Sequence, residues 1–261
     1  MKSSKSIETV SFVGSGNVAT HLAVALKGAG VEVAEVFSEN TENAKTFAIK
    51  LQCSIAESIQ NFKMTSDLTI LTVPDSKIVE VSKLLPDSDS IVVHTSGITD
   101  ISVLNGREHY GVFYPLQTFS KERKVDISEV PFCIEANNEN DFNLLMELAF
   151  KLSNNVKKVS SDQRKLLHLT AVMVNNFSNH MYHLAQEILE NNNIDFDFLL
   201  PLIQETALKI NDVHPAKAQT GPARRKDNST IKEHLKMLNE FPEYQEIYKL
   251  LSEQIMKKYH E

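Results

Sequence analysis

The sequence lacks most of the features that mark secreted, membrane-spanning or metal-built proteins. It holds 2 cysteines in 261 residues. Cys53 and Cys133 have neither metal-ligand spacing nor the density of a disulfide scaffold. His180, His183 and His214 lack acidic companions at metal-like spacing, so no metal is expected. No apolar run approaches the roughly 20 residues of a membrane span. The N-terminus, MKSSKSIETVSFVG, has no apolar stretch or small-residue cleavage site of a secretory signal. There is no basic excess either: 27 Lys and Arg against 34 Asp and Glu leave a net charge of −7. A broad nucleic-acid surface is therefore not expected. Neither a G-x-S-x-G elbow nor a Walker loop occurs. These absences lead to the expectation of a cytoplasmic protein with reduced thiols and no membrane or nucleic-acid partner.

What is present suits a globular protein. Apolar residues make up 42% and charged residues 23%, enough to build a core. The length favours two domains. In the first half, short apolar runs alternate with helical patterns. The runs are Thr9–Val13, Glu32–Phe37, Asp67–Val73, Ser90–His94, Tyr110–Tyr114 and Phe132–Ala136. Continuous rather than alternating apolarity suits strands covered on both faces. Helices are expected over Asn17–Ala29, Asn40–Leu51 and Ser76–Leu85. This order predicts an α/β fold with a parallel sheet and right-handed crossovers. From Ser161 onward no strand pattern appears. A long helix is expected over Ser161–Asn191, followed by Asp195–Asn211, Ile231–Asn239 and Glu243–Tyr259. The expected organisation is a Rossmann-type sheet domain at 1–158 and an all-helical domain at 159–261.

The densest local signal is Val13-Gly14-Ser15-Gly16-Asn17-Val18-Ala19, a G-x-G-x-x-A between a strand and a helix. Gly14 permits the tight turn, Gly16 lets the backbone approach a diphosphate, and Ala19 lets the helix pack close to the sheet. The helix N-terminus offers free N–H groups and partial positive charge to phosphates. Gly14, Ser15, Gly16, Asn17 and Val18 are therefore candidate dinucleotide-binding residues. The alternative is a tight turn alone. Ser38 and Glu39 end the second strand, where an acid would pair with ribose hydroxyls and favour NAD. A Ser/Asn-rich end beside a cation would suit the 2′-phosphate of NADP, and Lys45 is the close cation in sequence. NAD and NADP both stay open.

Ligands of open parallel sheets sit beyond the carboxyl ends of strands. Val73 and Pro74 follow the third strand and would flank the cofactor. His94, Thr95, Ser96 and Gly97 follow the fourth, placing the first three near the nicotinamide and Ser96 and Gly97 near a substrate. Gln117 and Thr118 follow the fifth and would also face substrate. In the helical half, His168 and Asn175 are seven residues apart on one α-helical stripe. They could protonate and orient a substrate carbonyl, since histidine titrates near neutrality. Each also reads as an ordinary structural side chain. Arg224 and Arg225, in QTGPARRKD, could clamp a carboxylate or belong to a solvated loop.

Taken together, GSGNVA, HTSG, YPLQTFS, HLTAVMVNNFSNHMYHLA and QTGPARRKD resemble the Rossmann-like oxidoreductases that carry a C-terminal domain of unknown function, DUF2520. That group is similar to pyrroline-5-carboxylate reductase, ketopantoate reductase and the 3-hydroxyacid and 6-phosphogluconate dehydrogenases. The resemblance implies a nicotinamide cofactor, usually NADP, and an all-helical domain that commonly forms a homodimer. It also implies reduction of a C=O or C=N bond in a small carboxylate-bearing substrate, such as a 2-keto acid or cyclic imino acid. Two departures stand out. The hydroxyacid dehydrogenases place a catalytic lysine four residues before an asparagine, where this chain has Ala171 and Val172 before Asn175 and Asn176. His168 is the expected substitute. Relatives often carry arginine after the serine that ends strand two, where this chain has Glu39. The missing lysine leaves two other readings, a nucleotide sensor without turnover and a non-catalytic dimeric scaffold.

Overall fold

The computed structural model describes residues 6–120 and 123–260. Eight strands form one sheet: β1 Thr9–Val13, β2 Glu32–Phe37, β3 Ser54–Ile55, β4 Leu68–Leu71, β5 Ile91–His94, β6 Tyr110–Pro115, β7 Phe132–Ala136 and β8 Val156–Lys158. Their order is β3-β2-β1-β4-β5-β6-β7-β8. The reversal of direction between β1 and β4 is the topological switch point at which open α/β sheets bind ligands. β1 to β6 pair in parallel, whereas β7 runs antiparallel to β6. The link from β6 to β7 does not cross the sheet. Leu116 N–H donates to Pro131 C=O at 2.8 Å and closes it as a hairpin-like return. The sheet is thus mostly parallel rather than wholly so.

Five helices accompany the sheet: α1 Asn17–Gly28, α2 Thr41–Leu51, α3 Ile78–Leu84, α4 Glu139–Phe150 and the start of the long helix, α5 Ser161–Ala171. Local chemistry fixes their ends. Asn40 caps α2 by accepting from Asn43 N–H at 2.9 Å, and Asn138 caps α4 in the same way. Ser160 and Gln163 close a capping box on α5. Continuous apolar strands demand cover on both faces. One cluster includes Phe12, Leu22, Leu26, Ile70 and Phe132, and a second includes Phe62, Leu71, Ile78 and Val92. Each such fully buried side chain contributes about 1.5–3 kcal/mol relative to exposure. No helix among the described residues is long and apolar enough to cross a membrane.

The chain divides into two compact units, Met1–Val174 and Asn175–Glu261. The long segment expected as one α-helix is α5, a π-helical turn Val172–Phe177 and α6 Ser178–Glu190. Beyond it come α7 Leu200–Lys209, α8 Pro215–Ala218, α9 Asn228–Met237 and α10 Pro242–His260. The first unit takes in α5, which is bonded to the sheet. Ser161 N–H and Oγ both donate to the Glu135 carboxylate of β7, at 3.0 and 2.8 Å.

Candidate active site

The glycine loop lies where β1 delivers the chain to α1. Gly14 has φ +107°, and a Cβ there would stand 2.7 Å from Thr72 C=O at the end of β4. Both conditions require glycine. Its N–H donates to Phe37 C=O at 2.7 Å, tying the loop to the end of β2. Gly16 is different: a Cβ there would meet nothing within 4 Å. Its absence of a side chain leaves open approach to the backbone. No side chain caps α1, so its first N–H groups stay available. The Ser15 hydroxyl is buried and has no hydrogen-bond partner. Uncapped amides, an orphaned hydroxyl and open space above Gly16 fit the diphosphate of a dinucleotide.

A cleft of about 520 Å³ opens over this loop. Gly14, Ser15, Gly16, Ser38, Glu39, Val73 and Pro74 line it, as do Asn40 and Lys77. The sequence reading took Lys45 as the nearest cation. Lys45 instead pairs with Glu42 at 2.9 Å on the outside of α2. The cation on the cleft wall is Lys77, bonded to Glu80 at 3.1 Å and also sensing Glu39. It comes from the next strand's loop, so spacing from Glu39 could not reveal it. Asn17 and Val18 lie on α1, but the Asn17 amide is already engaged, donating to Phe119 C=O at 2.9 Å. Val18 packs against the apolar cluster.

The loop after β5 is built differently from expectation. The His94 ring is wholly buried, because β5 is central and covered on both faces. It therefore offers no side chain to a cofactor. Its Nδ1 accepts from Ser96 N–H at 3.2 Å, and burial beside Arg164 drives its pKa down to about 3. The Ser96 hydroxyl is also occupied, accepting from Thr99 N–H and donating to Thr99 Oγ1, both at 2.9 Å. Thr95 is half-buried, with its hydroxyl 3.4 Å from Leu71 C=O. The residue that organises this loop is Arg164, which no motif in the sequence marks. It is fully buried on α5. Its guanidinium bonds Glu135 at 2.6 Å, Ser96 C=O at 3.1 Å and Thr99 C=O at 2.5 Å. A charged residue in SDQRKLLHL reads as solvated, and only the opposing glutamate on β7 hints otherwise. Lys165 adds a bond to Asp100 at 2.9 Å, holding that carboxyl down at about 2.

This scaffold seats His168. A Cβ on Gly97 would lie 2.5 Å from His168 Nδ1, so the ring rests directly on the loop backbone. The Tyr114 hydroxyl, from the end of β6, is 3.3 Å from the same Nδ1. Burial pushes the Tyr114 phenol up to about 12. His168 and Gly97 are thus brought together, with Tyr114 as a member that the sequence reading quoted only as the start of YPLQTFS.

Other candidates fall elsewhere. Gln117 and Thr118 are exposed, and the Gln117 side-chain oxygen accepts from Thr118 N–H at 2.8 Å. The chain after them is tethered to α1, where His21 Nε2 meets Ser120 C=O at 2.9 Å. Asn175 is exposed and opens the second unit, inside the π-helical turn. Wider turns there break the i, i+7 stripe that assumed an α-helix. In the second unit, the Arg224 guanidinium stacks on Tyr259 at 4.5 Å and its C=O accepts from His260. Arg225 is exposed, and Asp227 caps α9 through Thr230 N–H at 3.0 Å. Among the described residues, no cluster of three or more His, Cys, Asp or Glu could hold a metal.

Glycine loop, open sheet and switch-point cleft define a Rossmann-type protein with a candidate dinucleotide cleft. A Rossmann-like domain model matches residues 3–117, and the model of a domain of unknown function, DUF2520, matches residues 130–255. Among solved structures, a provisionally assigned NADP oxidoreductase from Bacteroides fragilis is 41% identical, covering 96% of this chain and 98% of that one at TM-score 0.90. The chain belongs to this family of Rossmann-like proteins with a C-terminal DUF2520 domain. A 1-pyrroline-5-carboxylate reductase from Streptococcus pyogenes shares the fold at 14% identity, covering 95% and 98% of the two chains at TM-score 0.63. So does a reductive aminase from Aspergillus terreus, solved with NADPH and ethyl-5-oxohexanoate, at 15% identity, 97% and 95% coverage and TM-score 0.68. No curated protein matches the chain.

Proposed function

We propose that this oxidoreductase uses NADP(H) to reduce a C=O or C=N bond in a small carboxylate-bearing metabolite, working as a homodimer. The observation that carries the reading is the cleft over Gly16, with uncapped α1 amides and the unpartnered Ser15 hydroxyl beneath it. Ser38, Asn40 and Lys77 on its wall supply the polar and cationic groups that a 2′-phosphate needs. The relative from Bacteroides fragilis, assigned as an NADP oxidoreductase, supports that choice.

A bound nicotinamide would supply the hydride, leaving placement and charge to the protein. His168 is the candidate acid, since its ring is held from one side by the Gly97 backbone and from another by Tyr114. Thr95, Ser96 and Gly97 shape the strand end below it.

The test titrates NADPH and NADH by fluorescence, then follows absorbance with 2-keto acids, 3-keto acids and cyclic imines. Tight NADPH binding with turnover on one of these classes is expected. His168→Ala should lower turnover by roughly 10²–10⁴-fold while keeping nucleotide affinity. Absence of nucleotide binding would overturn the reading, and unchanged turnover would remove His168 from it.

A further inference from the structure

We propose that Tyr114 acts through His168 as a proton relay, with the Tyr114 hydroxyl donating to Nδ1 so that the ring presents Nε2–H. The inference deepens the reductase reading and rests on it for the substrate.

Three elements converge on one imidazole. β6 supplies Tyr114 at 3.3 Å from Nδ1, with the two rings edge-on at 6.4 Å between centroids. The loop after β5 supplies the Gly97 backbone, too close for any Cβ. α5 supplies His168 itself, and its first turns are locked to the sheet by Arg164 and Ser161. The bond from Tyr114 is long, as catalytic hydrogen bonds often are before ligand binds. Direction follows from inventory. Among the described residues the Tyr114 hydroxyl has His168 Nδ1 as its hydrogen-bond partner. If the phenol accepted instead, its own hydrogen would go unsatisfied in a half-buried site. Burial also keeps the phenol protonated at neutral pH. A neutral histidine that accepts at Nδ1 carries its proton on Nε2.

The chemistry balances. Hydride adds to the carbonyl carbon with two electrons, and the C=O π bond breaks. The oxygen takes the Nε2 proton while Nδ1 takes the Tyr114 hydroxyl proton. A phenolate remains, partly offset by the Arg164 charge, and water later restores its proton. A developing alkoxide approaches the basicity of hydroxide, so even a weak phenolic acid relayed through imidazole can protonate it.

The experiment uses ¹⁵N-histidine NMR on the full chain, with the His168 signals assigned through His168→Ala. The expected spectrum of the free protein shows Nδ1 unprotonated and hydrogen-bonded, with the proton on Nε2. Tyr114→Phe should lose that tautomer preference. It should also reduce kcat on keto acids roughly 10–100-fold and shift the pH profile, with KM and NADPH affinity held. A proton on Nδ1 in the free protein would overturn the relay, even if Tyr114→Phe failed to fold. So would an unchanged tautomer and pH profile in the variant. Failure to bind any nicotinamide nucleotide would sink the reductase reading separately, since the tautomer is measured on the free protein.

Discussion

Residues 6–174 enclose two apolar clusters, whereas the described part of 175–261 buries three apolar side chains, Leu184, Ala223 and Ile231. Phe198 is 79% exposed in that second unit, Met237 76%, Leu202 62% and Phe177 59%. Strands must be covered on both faces, so the sheet gathers its own core. Amphipathic helices can bury one face against one another or against another chain. Exposed apolar side chains of this kind are the surface that the homodimer we propose would cover.

The largest expected effect on folding strikes the first unit at Arg164. Arg164→Met should destabilise it by about 3–5 kcal/mol, because it strands the partly buried Glu135 and the carbonyls of Ser96 and Thr99. Urea unfolding followed by circular dichroism measures this. A loss below about 1 kcal/mol would mean that the loop after β5 is held by other contacts.

Acid sharpens the same contrast. His94 titrates at about 3 when folded and near its ordinary 6.5 when unfolded. Below 6.5 the unfolded chain binds the proton more readily. The His94 contribution is thus complete above pH 6.5 and is lost as pH falls toward 3, on the order of a few kcal/mol in all. His94→Gln should flatten the stability curve between pH 6 and 4, measured by urea midpoints. An unchanged slope would show that His94 is not the acid-sensitive group.

Legibility followed the same physics. Thr9–Val13, Glu32–Phe37 and Phe132–Ala136 were read to the residue, because runs of β-branched and aromatic residues between turn signals leave few alternatives. The glycine loop was legible because Gly14 answers a backbone condition that spacing encodes. Arg164 and Tyr114 were not, because their roles depend on what β5, β6, β7 and α5 bring together across 29 to 68 residues. The antiparallel return of β7 was not legible either, because the alternation rule assumes a crossover after every strand and the β6–β7 link has none. The π-helical turn at Val172–Phe177 leaves no periodic signature, so Asn175 was placed on a stripe that the wider turns displace.

The second unit's role is tested at its most exposed apolar side chain. Phe198→Asp should weaken self-association by roughly 30-fold or more if Phe198 is central to the interface. Sedimentation over a concentration series reads the shift, and NADPH affinity should stay constant because the cleft belongs to the first unit. Unchanged association would move the interface away from Phe198, and a lost nucleotide affinity would break the separation between the units.

The mildest effect concerns cofactor choice within the first unit. Glu39 at the end of β2 argues for ribose hydroxyls and NAD, while Lys77 on the facing wall argues for a 2′-phosphate. The two carry opposite signs in one cleft, and Lys77 is partly occupied by Glu80 at 3.1 Å. A phosphate with about two negative charges competes well for that ammonium, since charge-assisted bonds are the stronger kind. Lys77→Ala should therefore weaken NADPH binding by roughly tenfold and leave NADH within about twofold. Equal losses for both nucleotides would mean that Lys77 serves the diphosphate or the shape of the cleft. In that case Glu39 would set the preference, and the unit would be tuned to NAD.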